Sequence, residues 1–356
     1  MFIRQISLHF CFLLSDNFLN KSIQVKFVAF SSLLLLLQCI SFSKIFLSFG
    51  VSFRFSFINY SDIRWKQFAT TITGGNRLDQ LNQPEGIYVD HHTQMIYIAD
   101  CNNHRVVEWS LNANNGRIVA GGNGQGNRPD QLDQPVDVTI DRQNHDLIIA
   151  DYGNRRVMRW SRHSNLFPQI IVDNIDCLCL AMHEDGTLYV SDRKKHEVRR
   201  WKKEERQGTI VAGGNRKGNQ LNQLNCPAFL FVDNDHTLYI SDRENHRVMK
   251  WVKDANEGLV VAGGHGQGDQ LTQLSRPLGV IVDQFGQIFV SDYDNHRVMR
   301  WCEGEDEGTL VVGGNGRGEE KNQFNVPDGL SFDDEGNLYV ADSLNNRIER
   351  FERDQD

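Results

Sequence analysis

The chain has few cysteines and no pattern in them. Seven are present in 356 residues, an odd number, and none forms a CxxC pair. Cys177 and Cys179 stand two apart, a spacing that on a strand places both on one face. That is neither a disulfide framework nor a zinc-ligand spacing, so the thiols read as small interior side chains, and no metal or cofactor is called for. Also missing are a Ser/His/Asp nucleophile motif, a phosphate-binding glycine loop and an H-E-x-x-H pair. Helical periodicity is absent too. Apolar residues come instead in short β-branched runs cut by Gly, Asn and Asp, the signature of an all-β chain.

Charge is scarce in the first 59 residues, which hold six charged side chains with a net +4 and 12 of the 21 phenylalanines. With a formal total of −8, residues 60–356 carry −12. An acidic body excludes broad, non-specific nucleic-acid binding, which needs clustered positive charge, though not one local basic patch. Residues 27–43 form an uncharged run between Lys26 and Lys44, at the short limit for a membrane span. Ser41-Phe42-Ser43 fits a small-x-small cleavage site. Three readings stay open for residues 1–59: a signal peptide, a membrane anchor, or translated noncoding sequence. No Met lies between Met1 and Met95, so no internal start gives a clean second domain. The chain is secreted or membrane-anchored on the first two readings and cytoplasmic on the third.

Residues 60–356 repeat one motif six times. Segments related to D-x-x-N-x-R-V-x-x-W begin at Asp100, Asp151, Asp192, Asp242, Asp292 and Asp342, spaced 51, 41, 50, 50 and 50 residues apart; the Asp192 copy has Lys195 and Glu197 for Asn and Arg, and the Asp342 copy ends on Phe351. A repeat of this period signals a propeller or a solenoid. Each unit reads as four short strands, for instance 279–283, 287–292, 296–301 and 308–313. Four strands per unit arranged about an axis solve the problem of exposed sheet edges, which predicts a six-bladed β-propeller of antiparallel blades. The sixth unit ends soon after Phe351 and lacks a fourth strand, while 68–74 (FATTITG) matches the fourth-strand segments. An N-terminal strand is therefore expected to close the ring, as one monomeric propeller.

The recurring residues suit mechanical roles. The leading Asp can accept hydrogen bonds from turn amides. The arginines five places on (Arg105, Arg156, Arg247, Arg297 and Arg347) can pair with that carboxylate, and Trp109, Trp160, Trp201, Trp251 and Trp301 can plug the space between blades. A catalytic site needs different residues in different roles, whereas a repeat supplies the same residue everywhere. No catalytic residue is assigned.

With its Gln-Leu/Phe-x-x-Pro lead-in (Gln80, Gln131, Gln223, Gln273 and Gln323), followed two places on by Gly only at Gly86, Gly279 and Gly329, its hydrophobic-Asp strand and its Asp-x-x-Asn-x-Arg hairpin, the chain resembles the NHL-repeat family over residues 62–351. The resemblance implies a binding propeller. Relatives include protein- and RNA-binding domains of tripartite-motif proteins, extracellular domains of bacterial kinases, and the lyase domain of peptide-amidating enzymes. The zinc-binding RING and B-box modules have no counterpart here. The lyase's zinc-binding His after the blade-opening Pro is replaced by Glu85, Val136, Ala228, Leu278 and Asp328.

Two places depart from the repeat. The Asp192 unit is short, has Glu197 where others have Arg, and holds the one basic cluster: Arg193, Lys194, Lys195, His196, Arg199 and Arg200, continuing to Arg206. It reads as an RNA or anion contact, or as a lysine- and arginine-rich edge kept soluble. Glu85 and Asp328 stand at matching places in the first and sixth units, neighbours in a closed ring, near the channel mouth. A cation between them is one reading, by resemblance to calcium-dependent propeller hydrolases. His104, His196, His246 and His296 recur one per hairpin, too far apart to share a metal. The leading expectation is a non-catalytic scaffold binding protein or peptide partners on the hairpin face. The alternatives are an RNA-binding propeller and a secreted or anchored hydrolase or lyase, with membrane contact through residues 1–59.

Overall fold

Alternating apolar and polar residues between Gly- and Asp-containing turns give strands of five to seven residues, and the turns fold them back on one another. In a computed structural model, the described residues are 22–28, 52–58, 63–74, 81–110, 115–162, 167–203 and 205–354. Contacts divide the chain into two units, Met1–Arg64 and Trp65–Asp356. In the first, Ser22–Val28 and Ser52–Ile58 pair as parallel strands. Residues 29–43, with Ser41-Phe42-Ser43, lie outside the described residues. Among the described residues no helix is long and apolar enough to cross a membrane.

The second unit is a six-bladed β-propeller of six four-stranded antiparallel sheets. Blades 1 to 5 span 84–121, 135–173, 177–213, 227–263 and 277–313. Blade 6 combines Pro327–Phe332, Leu338–Asp342 and Arg347–Phe351 with Thr70–Gly74, which pairs antiparallel with Arg347–Phe351. Strand bounds differ from the sequence reading by one or two residues; the first strand of blade 5, for example, is Pro277–Val282. The first strand of each blade is innermost and touches the first strands of its neighbours around the axis.

The core is not one mass. It is a set of apolar layers between blades: Ile148, Val157, Val190 and Trp201 between blades 2 and 3, and Tyr239, Val280, Val290 and Met299 between blades 4 and 5. Trp109, Trp201, Trp251, Trp301 and Phe351 are buried. Five junctions receive a further plug from the linking segment, namely Leu81, Leu132, Leu224, Leu274 or Phe324, each at most 2% exposed.

Three glycines set how tightly the ring closes. A Cβ on Gly86, Gly279 or Gly329 would strike the Asp137, Asp328 or Glu85 backbone of the next blade, or the Asp137 carboxylate. Blades 2, 3 and 4 carry Asp137, Cys179 and Phe229 at that position instead, and these side chains fill their half of the channel.

Each hairpin ends on a residue in the left-handed region: His104, Arg155, His196, His246, His296 and Asn346, all with φ between 52° and 57°. The histidines are latches. Nδ1 of His104, His196, His246 and His296 accepts the backbone N–H of Gln134, Cys226, Arg276 and Val326, thirty residues on, at 3.0–3.2 Å. Asn346 does the same for Gln83 with its Oδ1. Each N–H belongs to the residue before a blade-opening position, and all five of those residues also have positive φ. That backbone is costly for a non-glycine residue and persists where its surroundings fix it. Burial lowers the pKa of His196, His246 and His296. The latch needs a neutral ring, so its contribution is present above the unfolded value near 6.5 and is lost as pH falls below it. His296→Ala should cost about 1–2 kcal/mol in urea unfolding at pH 7.5. His296→Asn, which copies blade 6, should stay within about 0.5 kcal/mol of wild type. Equal losses in both variants would show that the ring fills space rather than accepting a hydrogen bond.

Candidate functional site

The repeat's conserved-looking charges are engaged within the fold. In blade 4, Asp242 Oδ1 accepts Asn225 N–H at 2.6 Å, and Oδ2 accepts Asn245 Nδ2 at 2.7 Å and Arg247 Nε at 2.8 Å. The other guanidinium nitrogens of Arg247 donate to the carbonyls of Asn219, Gln220 and Gln223 in the preceding link. Asp151 with Arg156, Asp292 with Arg297, and Asp342 with Arg347 repeat this clasp. Asp100 and Arg105 pair at 2.7 Å in blade 1. These residues bind the link to the blade and leave nothing for a ligand.

Blade 3 departs for a reason the clasp supplies. Asp173 connects to Cys177 through three residues, so there are no link carbonyls for an arginine to hold, and Ile175 alone fills the plug's place. Glu197, buried, takes Arg199 Nε at 2.6 Å instead. The missing link leaves a groove of about 990 Å³ between blades 2 and 3, lined by Ile170, Trp201, Lys195, Arg199, Lys202, Lys203 and Arg206 among others. The basic cluster is therefore dispersed. Lys195 and Arg199 face this groove, Lys194 is exposed, His196 is a latch, and Arg200 lies across from Tyr189 on the side of blade 4. Arg193 points to the channel.

The channel mouth is where the blades differ. The residue after each hairpin Asp is Cys101, Tyr152, Arg193, Arg243, Tyr293 or Ser343 in blades 1 to 6, and all six line one cavity of about 270 Å³. So do the residues after the blade-opening position: Glu85, Val136, Leu178, Ala228, Leu278 and Asp328. Leu178 qualifies because Cys177 pairs with Asp192 as Pro227 pairs with Asp242. Blade order then fixes a pattern. Glu85 and Asp328 come from adjacent blades 1 and 6, Arg193 and Arg243 from blades 3 and 4 opposite, and Tyr152 and Tyr293 stand between them on either side.

Burial dominates the electrostatics of the mouth. Burial raises the Glu85 pKa to about 7 and pushes Asp328 well up, each also raised or held down by its neighbours, with Arg243 opposing both shifts. Asp328 is 5% exposed and its Oδ1 has no hydrogen-bond partner. Arg243 leans over the Tyr293 ring at 5.5 Å and reaches Glu244 at 3.4 Å, while its Nε has no partner. Arg193 donates to Tyr152 Oη at 3.2 Å and to Cys226 Sγ at 3.1 Å. Among the described residues no ion pair joins the acids of the mouth to its arginines. Burial also pushes the Cys101 thiol up, so it is no thiolate nucleophile.

Two places offer metal-ligand chemistry. Glu85 and Asp328 present two carboxylates, where calcium takes six to eight oxygens. His183, Asp185 and His236 place ligand atoms within 4.8 Å of one another across blades 3 and 4. Each is already engaged: His183 Nδ1 lies 2.8 Å from Asp185, and His236 Nδ1 lies 2.9 Å from Tyr189 Oη. The two rings stack at 3.8 Å, so their in-plane lone pairs run side by side rather than converging.

Of the residues lining the mouth, the sequence singled out Glu85 and Asp328 as a candidate cation pair and Arg193 within the basic cluster, and passed over Arg243, Tyr152 and Tyr293. The signal was present: within Asp-x-x-Asn the position after Asp changes in chemistry while Asp and Asn hold.

Comparison with known proteins agrees on the fold. The NHL repeat family model matches residues 81–109, 224–251 and 324–351. No curated protein matches. An auxiliary nutrient binding protein from Bacteroides thetaiotaomicron is similar in structure, with a TM-score of 0.65 at 14% identity over 82% of this chain and 78% of that one. A protein of unknown function from the same organism has a TM-score of 0.65 at 16% identity over 82% and 77%. A gluconolactonase from Xanthomonas campestris has a TM-score of 0.57 at 14% identity over 78% and 88%. At such identities the likeness is one of fold.

Proposed function

We propose that this NHL-repeat propeller is a non-catalytic binding module that takes a protein or peptide partner on its hairpin face, at the channel mouth. The observation that carries this reading is the division of labour within the repeat. Positions that recur are tied up in the clasps, latches and plugs of the fold, and the positions that differ between blades gather around one opening. A ring of six side chains of four kinds, two of them tyrosines and two arginines, is the composition of a recognition surface. The nutrient-binding neighbour is compatible with this role, and the gluconolactonase shows that the same fold also hosts enzymes. The scatter of blade 3 cations over several surfaces weighs against an RNA contact there.

Selection of a displayed random-peptide library on the full chain tests this. Enriched peptides should bind the Tyr152→Ala/Tyr293→Ala variant at least tenfold more weakly, about 1.4 kcal/mol or more, with unchanged melting temperature. Enriched peptides indifferent to both tyrosines would move the binding surface elsewhere.

A further inference from the structure

We infer that the channel mouth binds a dipolar ligand, with a primary ammonium held by Glu85 and Asp328 and a carboxylate held by Arg193 and Arg243. This rests on the mouth being the binding site and names the chemistry that it accepts.

Both walls of the mouth hold buried polar atoms without a partner. Asp328 lines the cavity and is nineteen-twentieths buried, and its Oδ1, itself shielded from solvent, has no donor. A buried carboxylate with an idle oxygen costs stability, and in the repeat this position tolerates Val, Ala and Leu, so the fold does not require the charge. Arg243 Nε on the opposite wall lacks an acceptor in the same way. The two deficits are complementary: one side lacks a donor and the other an acceptor. They do not cancel each other, because no ion pair spans the opening among the described residues. A ligand that brings both groups satisfies both walls at once.

The other lining residues sharpen the class. Tyr152 and Tyr293 flank the space between the charged walls, and Leu278 and Val136 offer apolar contact. A chain of carbon and amide atoms between the two charges would lie there. A volume near 270 Å³ holds a small molecule, not a folded domain. An ammonium has three N–H donors for the two carboxylates and Gln83, whose Nε2 already lies 3.4 Å from Glu85 Oε1. A bare calcium ion would find too few oxygens and would face two guanidiniums. Burial keeps the acid pair partly protonated near neutral pH, and an arriving ammonium would displace that proton.

Titration calorimetry of the full chain at pH 7.5 tests the inference with glycine, diglycine, triglycine, N-acetyltriglycine, triglycine amide and calcium chloride. The first three form a ruler in which the charges move apart, so free amino acid and short peptide give different best lengths. The expected result is binding of one of the three, weakened at least tenfold when either end is blocked. Asp328→Asn and Arg243→Met should each weaken it at least tenfold. Asp328→Asn should also leave the melting temperature unchanged or raised, because the buried acid carries an oxygen with no donor, whereas a structural carboxylate would lower it on removal. End-blocked peptides that bind as well as triglycine would overturn the inference, as would calcium binding that excludes triglycine. If no short peptide binds while a selected longer peptide still depends on Tyr152 and Tyr293, the dipolar assignment fails and the binding reading stands. If neither binds, both fail.

Discussion

Replacing Asp292 with alanine is expected to lower the unfolding free energy by about 3–5 kcal/mol, the cost of breaking a buried ion pair by removing one partner. Asp292 is fully buried. Its Oδ1 accepts Ser275 N–H at 2.6 Å, and its Oδ2 accepts Asn295 Nδ2 at 2.8 Å and Arg297 Nε at 2.7 Å. Arg297 in turn holds the carbonyls of Asp269, Gln270 and Gln273. The variant leaves a guanidinium charge without its counter-ion and a backbone N–H without its acceptor. Urea unfolding of Asp292→Ala, Arg297→Leu and the double variant measures it. The double variant should recover part of the loss, because no unpaired charge remains. A loss under about 1 kcal/mol in Asp292→Ala would mean that water reaches the clasp and the pair behaves as a surface bridge.

The second large effect is a change of stability with pH that depends on Asp137. This carboxylate lies in the channel wall, fully buried, where its Oδ2 accepts Leu180 N–H of blade 3 at 2.8 Å and its Oδ1 accepts Val138 N–H at 2.9 Å. Burial raises its pKa to about 7 in spite of these donors. The folded value stands above the unfolded value near 3.9, so the folded state holds the proton more tightly. Its contribution is complete below pH 4 and is lost as pH rises through about 7. Between pH 4.5 and 8 wild type should lose about 3 kcal/mol more than Asp137→Asn, at 1.36 kcal/mol per unit. The latches of His196, His246 and His296 titrate in the opposite sense but are common to both proteins, so they cancel in the difference. A difference that stays constant over this range would show that Asp137 is already charged in the folded state.

The repeat made the architecture legible. Six in-phase copies of Asp-x-x-Asn-x-Arg, with Gly-Gly links and Trp plugs, are a pattern of local chemistry, and each copy folds by short-range rules. The channel residues were harder to read because a ring brings together positions fifty residues apart. Glu85 and Asp328 could be joined by assuming closure between the first and last units. Arg243 was passed over, because the only sign of it is that the position after the hairpin Asp varies from blade to blade, and variation alone does not say that the position faces the axis. The histidines were read only as one per hairpin, too far apart to share a metal. Their function as acceptors for the next blade depends on backbone angles at Gln134, Cys226, Arg276 and Val326 that no sequence pattern announces. Glu197 read as an oddity and became intelligible once the arginine clasp was seen to need a link to hold.

The absent link has a mechanical consequence. Four junctions carry a complete described clasp on an inserted link, while the one between blades 2 and 3 relies on Ile175, Asp137 and the apolar layer. A closed ring under load or thermal agitation does not yield evenly; it parts along its least-fastened radius. The propeller therefore has a fault line. Amide exchange in Gln169–Asp173, the outer strand of blade 2 bordering the groove, should run ahead of its counterparts in blades 4 and 5, and protease nicking or circular permutation should be tolerated there first.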